Sequence, residues 1–248
     1  MITIKDSREI ELMKHAGHIV GLVHQKMAEV IRPGVTTKEI NDICEKVIRD
    51  QGATPSFLNL YGFPGAVCTS VNDVVVHGIP SDYVLKDGDI ISVDVGACWK
   101  GYHGDSAWTY AVGHASDDVK HLMKVTEESL YAGLAQVKPG NRVGDISHAV
   151  QEYLESHGCS TPRDYTGHGI GTEVHEDPNV PNWGKAGRGP RLRKGMCIAV
   201  EPMCHLGGEE VYTEDDGWTV RTADHSLAAH FEHTVVITDN GYEITTKV

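Results

Sequence analysis

The 248-residue chain carries the same succession of segments in both of its halves. Each half begins with a Pro-Gly pair and an amphipathic stretch that has helical spacing and ends at a glycine. A V-H-x-x-P motif follows, and after it comes a run of apolar residues that ends in an acidic residue. Three matches in one order indicate an internal duplication, because chance similarity would not preserve the order. The paired segments are residues 33–52 and 139–158, 76–80 and 174–178, and 85–94 and 192–201.

The duplication predicts the architecture. In each half the helical segment precedes the strand candidates, and a sheet in the middle with helices outside buries both sets of apolar faces. We therefore expect an α+β fold that forms one domain over residues 1–248. Its halves should cover roughly 1–112 and 113–248, be related by a pseudo-twofold axis, and place the functional site at their seam.

Two aspartates occupy strand candidates where a charged group is costly. Asp94 lies inside IISVDV, and Asp105 opens the next candidate, residues 105–112. Their separation of eleven positions is odd, so a hairpin without a bulge puts both side chains on one face. A turn centred between Trp99 and Lys100 would set them directly opposite each other. Two carboxylates at that range need a shared proton or a cation.

The second half repeats this pattern with glutamates. Glu201 ends CIAVE at the position matching Asp94, and Glu232 lies in AHFEHTVVIT, which alternates like another strand. No lysine or arginine lies within these strand segments to neutralise the acids. Four acids converging across a seam therefore predict bound divalent metal. An oxygen-rich site suits cobalt, manganese, iron or zinc, and bridging carboxylates suit a pair of ions.

Three histidines complete the candidate site. His77 and His175 are partners in the repeated V-H-x-x-P motif, and His168 lies in the glycine-rich segment TGHGIG, where backbone and ligand can approach closely. We predict His168 as a further metal ligand.

Charge and hydropathy restrict the setting of the protein. The formal charge of −13 disfavours non-specific binding to DNA. No apolar run is long enough to cross a bilayer and no signal peptide is visible, so we expect a cytoplasmic protein. We also expect it to be a monomer. One segment, Lys185–Lys194, holds five basic residues and no acidic one, and leaves ribosome docking open.

The motifs V-D-V-G, G-Y-H-G-D, T-G-H-G-I-G, V-H-E-D-P, A-V-E-P and F-E-H-T appear in this order. Together they closely resemble the methionine aminopeptidase family, in its short bacterial form, over nearly the whole chain. The resemblance implies the pita-bread fold, with two pseudo-symmetric halves and a central antiparallel sheet covered by helices. It implies that two metal ions are bound by Asp94, Asp105, His168, Glu201 and Glu232.

The resemblance also implies an activity, the removal of the N-terminal methionine from nascent polypeptides. We expect a hydroxide bridging the two metals to attack the first peptide bond and Glu201 to transfer its proton. His175 would donate to the oxyanion and His77 would hold the scissile amide, both without binding metal. The methionine slot would be lined by Phe63, Cys68 and Trp218, with Tyr61 at its rim; Val174 is smaller than the residue expected there.

Two alternatives remain open at this point. A proline-directed aminopeptidase or prolidase shares the metal scaffold but usually carries a substantial extra N-terminal domain. A catalytically silent relative that only binds polypeptides typically loses metal ligands, whereas all five positions are filled here.

Overall fold

The computed structural model describes all residues, Met1–Val248. Its helices form two pairs, and each pair precedes the strands of its half, as the duplication predicts. The helices are α1 (Ser7–Val30), α2 (Thr37–Asp50), α3 (Asp117–Leu134) and α4 (Val143–Ser156). None of them combines the length and apolarity that a membrane crossing would require.

Helix α2 begins as its sequence predicts. The Thr36 hydroxyl accepts a hydrogen bond from the backbone N–H of Glu39, and the Glu39 carboxylate accepts one from the backbone N–H of Thr36. This capping box satisfies two amide groups that otherwise lack a partner at a helix start.

The first half forms an antiparallel sheet in the order β1-β4-β2, with β5 also paired to β4. A two-residue turn, Lys100-Gly101, joins β4 to β5, and both of its residues have positive φ, as a type I′ hairpin turn requires. The strands are β1 (Thr54–Pro55), β2 (Cys68–Val71), β3 (Val74–Val76), β4 (Ile90–Trp99) and β5 (Tyr102–Ala111).

The hairpin corrects our expected register. Asp94 lies opposite Ala107, and Asp105 lies opposite Gly96, so the two aspartates are diagonal neighbours and not directly opposed. The turn lies one residue later than we expected, and β5 begins at Tyr102 and not at Asp105. Both aspartates still project from the same face, because the pairing keeps the predicted parity.

The second half forms a five-stranded antiparallel sheet in the order β14-β13-β8-β6-β7. Two small ribbons accompany it: β9 pairs with β12, and β3 of the first half pairs with β11, which pairs with β10. The strands are β6 (Thr166–Gly169), β7 (Glu176–Pro181), β8 (Cys197–Val200), β9 (Met203–His205), β10 (Val211–Thr213), β11 (Val220–Thr222), β12 (Ala228–His230), β13 (His233–Ile237) and β14 (Tyr242–Ile244).

Both glutamates lie in interruptions of strands, which corrects our placement of them inside strands. Glu201 follows the last residue of β8, and Glu232 lies between β12 and β13. At these points the backbone leaves the ladder, so each carboxylate projects from a short irregular segment between two ordered strands.

The apolar residues form two main cores, each between one sheet and one helix pair. The first core contains Ile19, Val23 and Ile40 of the first helix pair together with Ile91 and Val93 of β4. The second core joins α3 and α4 to β8 and β13 in the same way. The helices therefore lie outside and the sheets lie inside, which is the layered arrangement that the duplication predicts.

Hydroxyl groups connect the two sheets along β5. Thr109 Oγ1 donates to the carbonyl of His230 and accepts from its N–H, at 2.8 and 3.0 Å. Ser106 Oγ donates to the carbonyl of Glu232, and Thr234 Oγ1 donates to that of Asp105 at 2.7 Å. These bonds join β5 of the first half to β12 and β13 of the second, where the acidic residues lie.

Helix α1 packs directly on β5 at Gly104, the residue before Asp105. A Cβ atom there would lie 2.6 Å from the backbone nitrogen of Gly17. Only glycine permits this approach, which holds the outer face of β5 while Asp105 faces the seam.

Gly104→Ala should therefore lower the free energy of unfolding by about 1–3 kcal/mol, the usual cost of overpacking a core. Chemical denaturation measures this change. Gly241→Ala is the matched control, because a Cβ atom there has no heavy atom within 4 Å. Equal stability of the two variants would show that α1 and β5 can separate without cost.

Candidate metal centre

The four predicted acids converge on one cavity of about 340 Å³. Asp94 and Asp105 reach it from the hairpin of the first half, and Glu201 and Glu232 reach it from the strand interruptions of the second half. Asp105, Glu201 and Glu232 are buried, with exposures of 3%, 9% and 1%. Acidic residues from both parts of the chain therefore line the same cavity.

Several polar atoms of this cluster have no hydrogen-bond partner. Asp94 Oδ1, Asp105 Oδ1, Glu232 Oε1 and His230 Nε2 are all buried and unsatisfied. The only ion pairs that the four acids form are with histidine. Buried carboxylates without a base nearby are costly, and a divalent cation would satisfy them. The residues present therefore fit a metal site.

The carboxylates disturb each other's protonation. Burial raises the pKa of Asp94 well above its ordinary value, and the neighbouring carboxylates of Asp105 and Glu201 raise it further. Burial likewise raises the pKa of Glu232, helped by Asp105, Glu201 and Asp94. Without a cation, Asp94 and Glu232 therefore retain their protons to a higher pH than ordinary carboxyl groups do.

His168 presents one ring nitrogen to the acids. Its Nε2 lies 3.6 Å from Asp105 Oδ2 and 3.4 Å from Glu201 Oε1. The other nitrogen, Nδ1, donates to the carbonyl of Gly169 at 2.9 Å, which fixes the ring orientation. Burial alone would lower the pKa of His168, but Asp105 and Glu201 outweigh it and raise the pKa to about 9. A cation would compete with that proton for Nε2.

The donor atoms fall into two overlapping sets that share Glu232. One set contains Asp105 and His168, the other contains Glu201 and His230, and within each set the donors lie within 4.8 Å of one another. Asp94 belongs to neither set but lines the same cavity.

We did not predict His230. Its position two residues before Glu232 in A-H-F-E-H was the available signal, but a single histidine in an apolar strand is usually a core residue.

His77 and His175 lie beside these sets without belonging to either. The ring of His175 is 4.5 Å from that of His168, between centroids. His77 adopts a left-handed backbone conformation with φ of 60°, which is uncommon outside glycine and concentrates at functional sites. Burial lowers the pKa of His77 to about 4 and also lowers the pKa of His175. Both imidazoles are therefore neutral at physiological pH.

An apolar pocket adjoins the cluster within the same cavity. Phe63 and Trp218 meet edge to face with centroids 5.2 Å apart, and Cys68 and Val174 are buried against them. Tyr61 is 76% exposed at the rim, where its ring stacks on that of His175. Phe57, Leu60 and Ile79 belong to the same apolar cluster, although we did not predict them.

Residues 11–239 match the model of metallopeptidase family M24, so the chain belongs to this family. Within the family, the chain is 53% identical to methionine aminopeptidase 1 of Bacillus subtilis over the full length of both chains. The crystal structure of methionine aminopeptidase from Thermotoga maritima superposes with a TM-score of 0.99 at 47% identity, again over both whole chains. The resemblance inferred from the motifs is confirmed, and so is the pita-bread fold.

The proline-directed alternative is less well supported. The Xaa-Pro dipeptidase of Bacillus anthracis has the same fold, with a TM-score of 0.81, but only 27% identity. This chain covers 62% of that one, so the dipeptidase has further structure that this chain does not match. The methionine aminopeptidases match at both ends and at much higher identity.

Chelation of divalent cations should destabilise the protein, and more so as the pH rises. In the cation-free protein, the raised pKa values of Asp94 and Glu232 give stability that is complete below the ordinary carboxyl values of about 4 and is lost as pH rises through the raised values. Bound cation replaces those protons and contributes about 3 kcal/mol at about 100 times its Kd.

The Tm should be measured with Mn(II) and with EDTA between about pH 5 and pH 8. The gap between the two curves should widen with pH. Asp94→Asn removes one titrating group and should flatten the EDTA curve. Parallel curves with and without cation would contradict the expectation.

Proposed function

We propose that this chain is a metal-dependent methionyl aminopeptidase, which hydrolyses the first peptide bond of new polypeptides and releases N-terminal methionine. The observation that carries the proposal is a cluster of unsatisfied buried carboxylates, with His168 among them, beside an apolar pocket. The names of the full-length relatives support the same activity.

Two divalent cations, of cobalt, manganese, iron or zinc, would be held by Asp94, Asp105, His168, Glu201 and Glu232. Their chemistry would be to lower the pKa of a water molecule and to polarise the scissile carbonyl. Oxygen-rich donor sets do not select among these metals by affinity alone.

Proton transfer is assigned to Glu201, which has one oxygen beside His168 and the other beside His230. A carboxylate at the centre of the cluster can accept a proton from water and pass it to the leaving amine. Its backbone carbonyl accepts a hydrogen bond from Asn182, at 2.9 Å, which fixes the segment after β8.

His175 would donate a hydrogen bond to the oxyanion, and His77 would hold the scissile amide or the leaving group. Each is neutral, so each can donate from one ring nitrogen without carrying a competing charge. Both stand beside the donor sets and not inside them, which suits groups that bind substrate.

The pocket suits an unbranched thioether. Methionine is flexible and polarisable, and it packs well against aromatic edges such as those of Phe63 and Trp218. Burial raises the pKa of the Cys68 thiol, so this residue stays protonated and acts as part of the apolar wall. Tyr61 would close the rim over the substrate.

Three further expectations stay predictions: a monomeric state, a cytoplasmic location, and docking on the ribosome through Lys185–Lys194. The last is compatible with the exposure of all five basic side chains in this loop, one of which, Lys194, pairs with Asp239.

Assay of a Met-Ala-Ser peptide tests the activity directly. Release of methionine with added Co(II) or Mn(II), and its loss in EDTA, are expected because the acids require a cation. A Xaa-Pro peptide is the matched control for proline-directed hydrolysis. Preferential cleavage of the Xaa-Pro peptide would reverse the assignment, and cleavage of neither peptide would favour a binding protein.

His175→Ala should lower kcat by about 100- to 1000-fold, the usual cost of removing one oxyanion donor. Metal content should not change, because His175 belongs to neither donor set. Kinetics and metal analysis on the same preparation separate the two effects. Parallel loss of activity and metal would make His175 a ligand instead.

Val174→Phe should narrow the pocket. Val174 is 3% exposed and packs behind Phe57, Phe63 and Cys68, which line the cavity, so a larger side chain would displace these residues into the pocket. The kcat/KM for a methionyl peptide should fall by about 10-fold or more, the effect of a methylene-sized misfit. A norvalyl peptide, which has a shorter side chain, should lose less. Equal losses for both peptides would place Val174 outside the specificity pocket.

A further inference from the structure

His230 is a buried histidine that the proposed function does not use. It ends β12 and is 1% exposed, and its Nε2 has no hydrogen-bond partner. It lines the same cavity as the acids. We propose that His230 Nε2 is a sixth protein ligand of the metal centre and gives the second cation its own imidazole. This inference rests on the two-cation site of the proposed function.

The distances suit a shared cation. His230 Nε2 lies 3.3 Å from Glu201 Oε2 and 4.0 Å from Glu232 Oε2. Nitrogen and oxygen donors bind transition metals at about 2.0–2.2 Å, so two donors of one ion are at most about 4.4 Å apart. Both distances fall within this limit.

A hydrogen bond to Glu201 would be the competing role for His230. The separation of 3.3 Å is short enough for one, but Nε2 still has no hydrogen-bond partner, so the ring does not direct an N–H at the carboxylate oxygen. A nitrogen that lies between two carboxylates without bonding to either fits a ligand of an ion between them.

The two imidazoles flank Glu201 in a similar way. His168 Nε2 is 3.4 Å from one carboxylate oxygen, and His230 Nε2 is 3.3 Å from the other. Each belongs to one of the donor sets that share Glu232. One imidazole per cation would therefore use every donor of both sets, which have Glu232 in common.

The backbone of His230 is held firmly. Thr109 Oγ1 bonds to both its N–H and its carbonyl, and the residue pairs with Met203 across the β9–β12 ribbon. Because these contacts already fix the backbone of His230, the residue would lose little conformational freedom on binding a metal ion.

An added nitrogen donor should change the choice of metal. Imidazole suits iron, nickel and zinc, carboxylate and water suit manganese, and nitrogen- and oxygen-donor sites generally bind cobalt more tightly than manganese. Loss of His230 should therefore weaken cobalt binding more than manganese binding.

X-ray absorption of the dicobalt protein counts imidazoles directly. We expect about one imidazole per cobalt in the wild type, one for each of the two histidines in the donor sets. His230→Ala and His168→Ala should each halve this number. In His230→Ala, the Kd for the second cobalt ion should also rise, as measured by calorimetry. The increase should exceed about 10- to 100-fold, which is the effect of losing a residue that only contacts a ligand.

The inference is overturned if His230→Ala leaves the imidazole count unchanged while His168→Ala abolishes it. His233→Gln is the matched control, because His233 is buried nearby and bonds to Thr246 without belonging to a donor set. His230→Gln replaces the alanine variant if that one does not fold, since it removes the imidazole but fills more of the space.

Methionine release by the wild type is measured separately. A wild-type protein that takes up two cobalt ions but releases no methionine refutes the proposed activity and leaves the ligand assignment intact. A wild-type protein that releases methionine with only one imidazole for two cobalt ions refutes the ligand assignment alone.

Discussion

Repulsion among four carboxylates at the seam is the constraint on which the rest of the structure depends. Asp94 and Asp105 come from one half and Glu201 and Glu232 from the other, so the halves cannot close without bringing like charges together. The flanking cores and the hydroxyl bonds along β5 hold the halves in contact despite this repulsion. The clustered carboxylates therefore favour the binding of a divalent cation, which would offset their negative charge.

The construction of the seam explains why the acids can approach so closely. A continuous hydrogen-bonded ladder would direct alternate side chains away from the site, whereas Thr109 and Thr234 join the strands through side-chain hydroxyls. The backbone can therefore leave the ladder at Glu201 and Glu232 without losing the contact between the halves. The positions of these two carboxylates therefore depend on short irregular segments, which the ordered strands on either side hold in place.

Much of this arrangement could be predicted from the sequence, because the duplication shows which segments correspond and the acids interrupt apolar runs. The register of the β4–β5 hairpin could not, since parity places Asp94 and Asp105 on one face but does not locate the turn. The strand breaks at Glu201 and Glu232 were also missed. Pro202, directly after Glu201, was an available signal because proline has no N–H to donate to a ladder, whereas AHFEHTVVIT around Glu232 holds no proline or glycine to mark a break. His230 escaped prediction for another reason: its neighbours along the chain are apolar, and only the tertiary fold brings Glu201 to it.

The ribbon in which β3 pairs with β11 has a consequence for the independence of the halves. Each half contributes a strand to that ribbon, so separating them would expose an unpaired edge on both pieces. Two fragments would have to find each other by diffusion, and their recovery would depend on concentration. Because the two halves belong to one chain, each is held at a fixed effective concentration relative to the other. Their association therefore does not depend on the concentration of the protein.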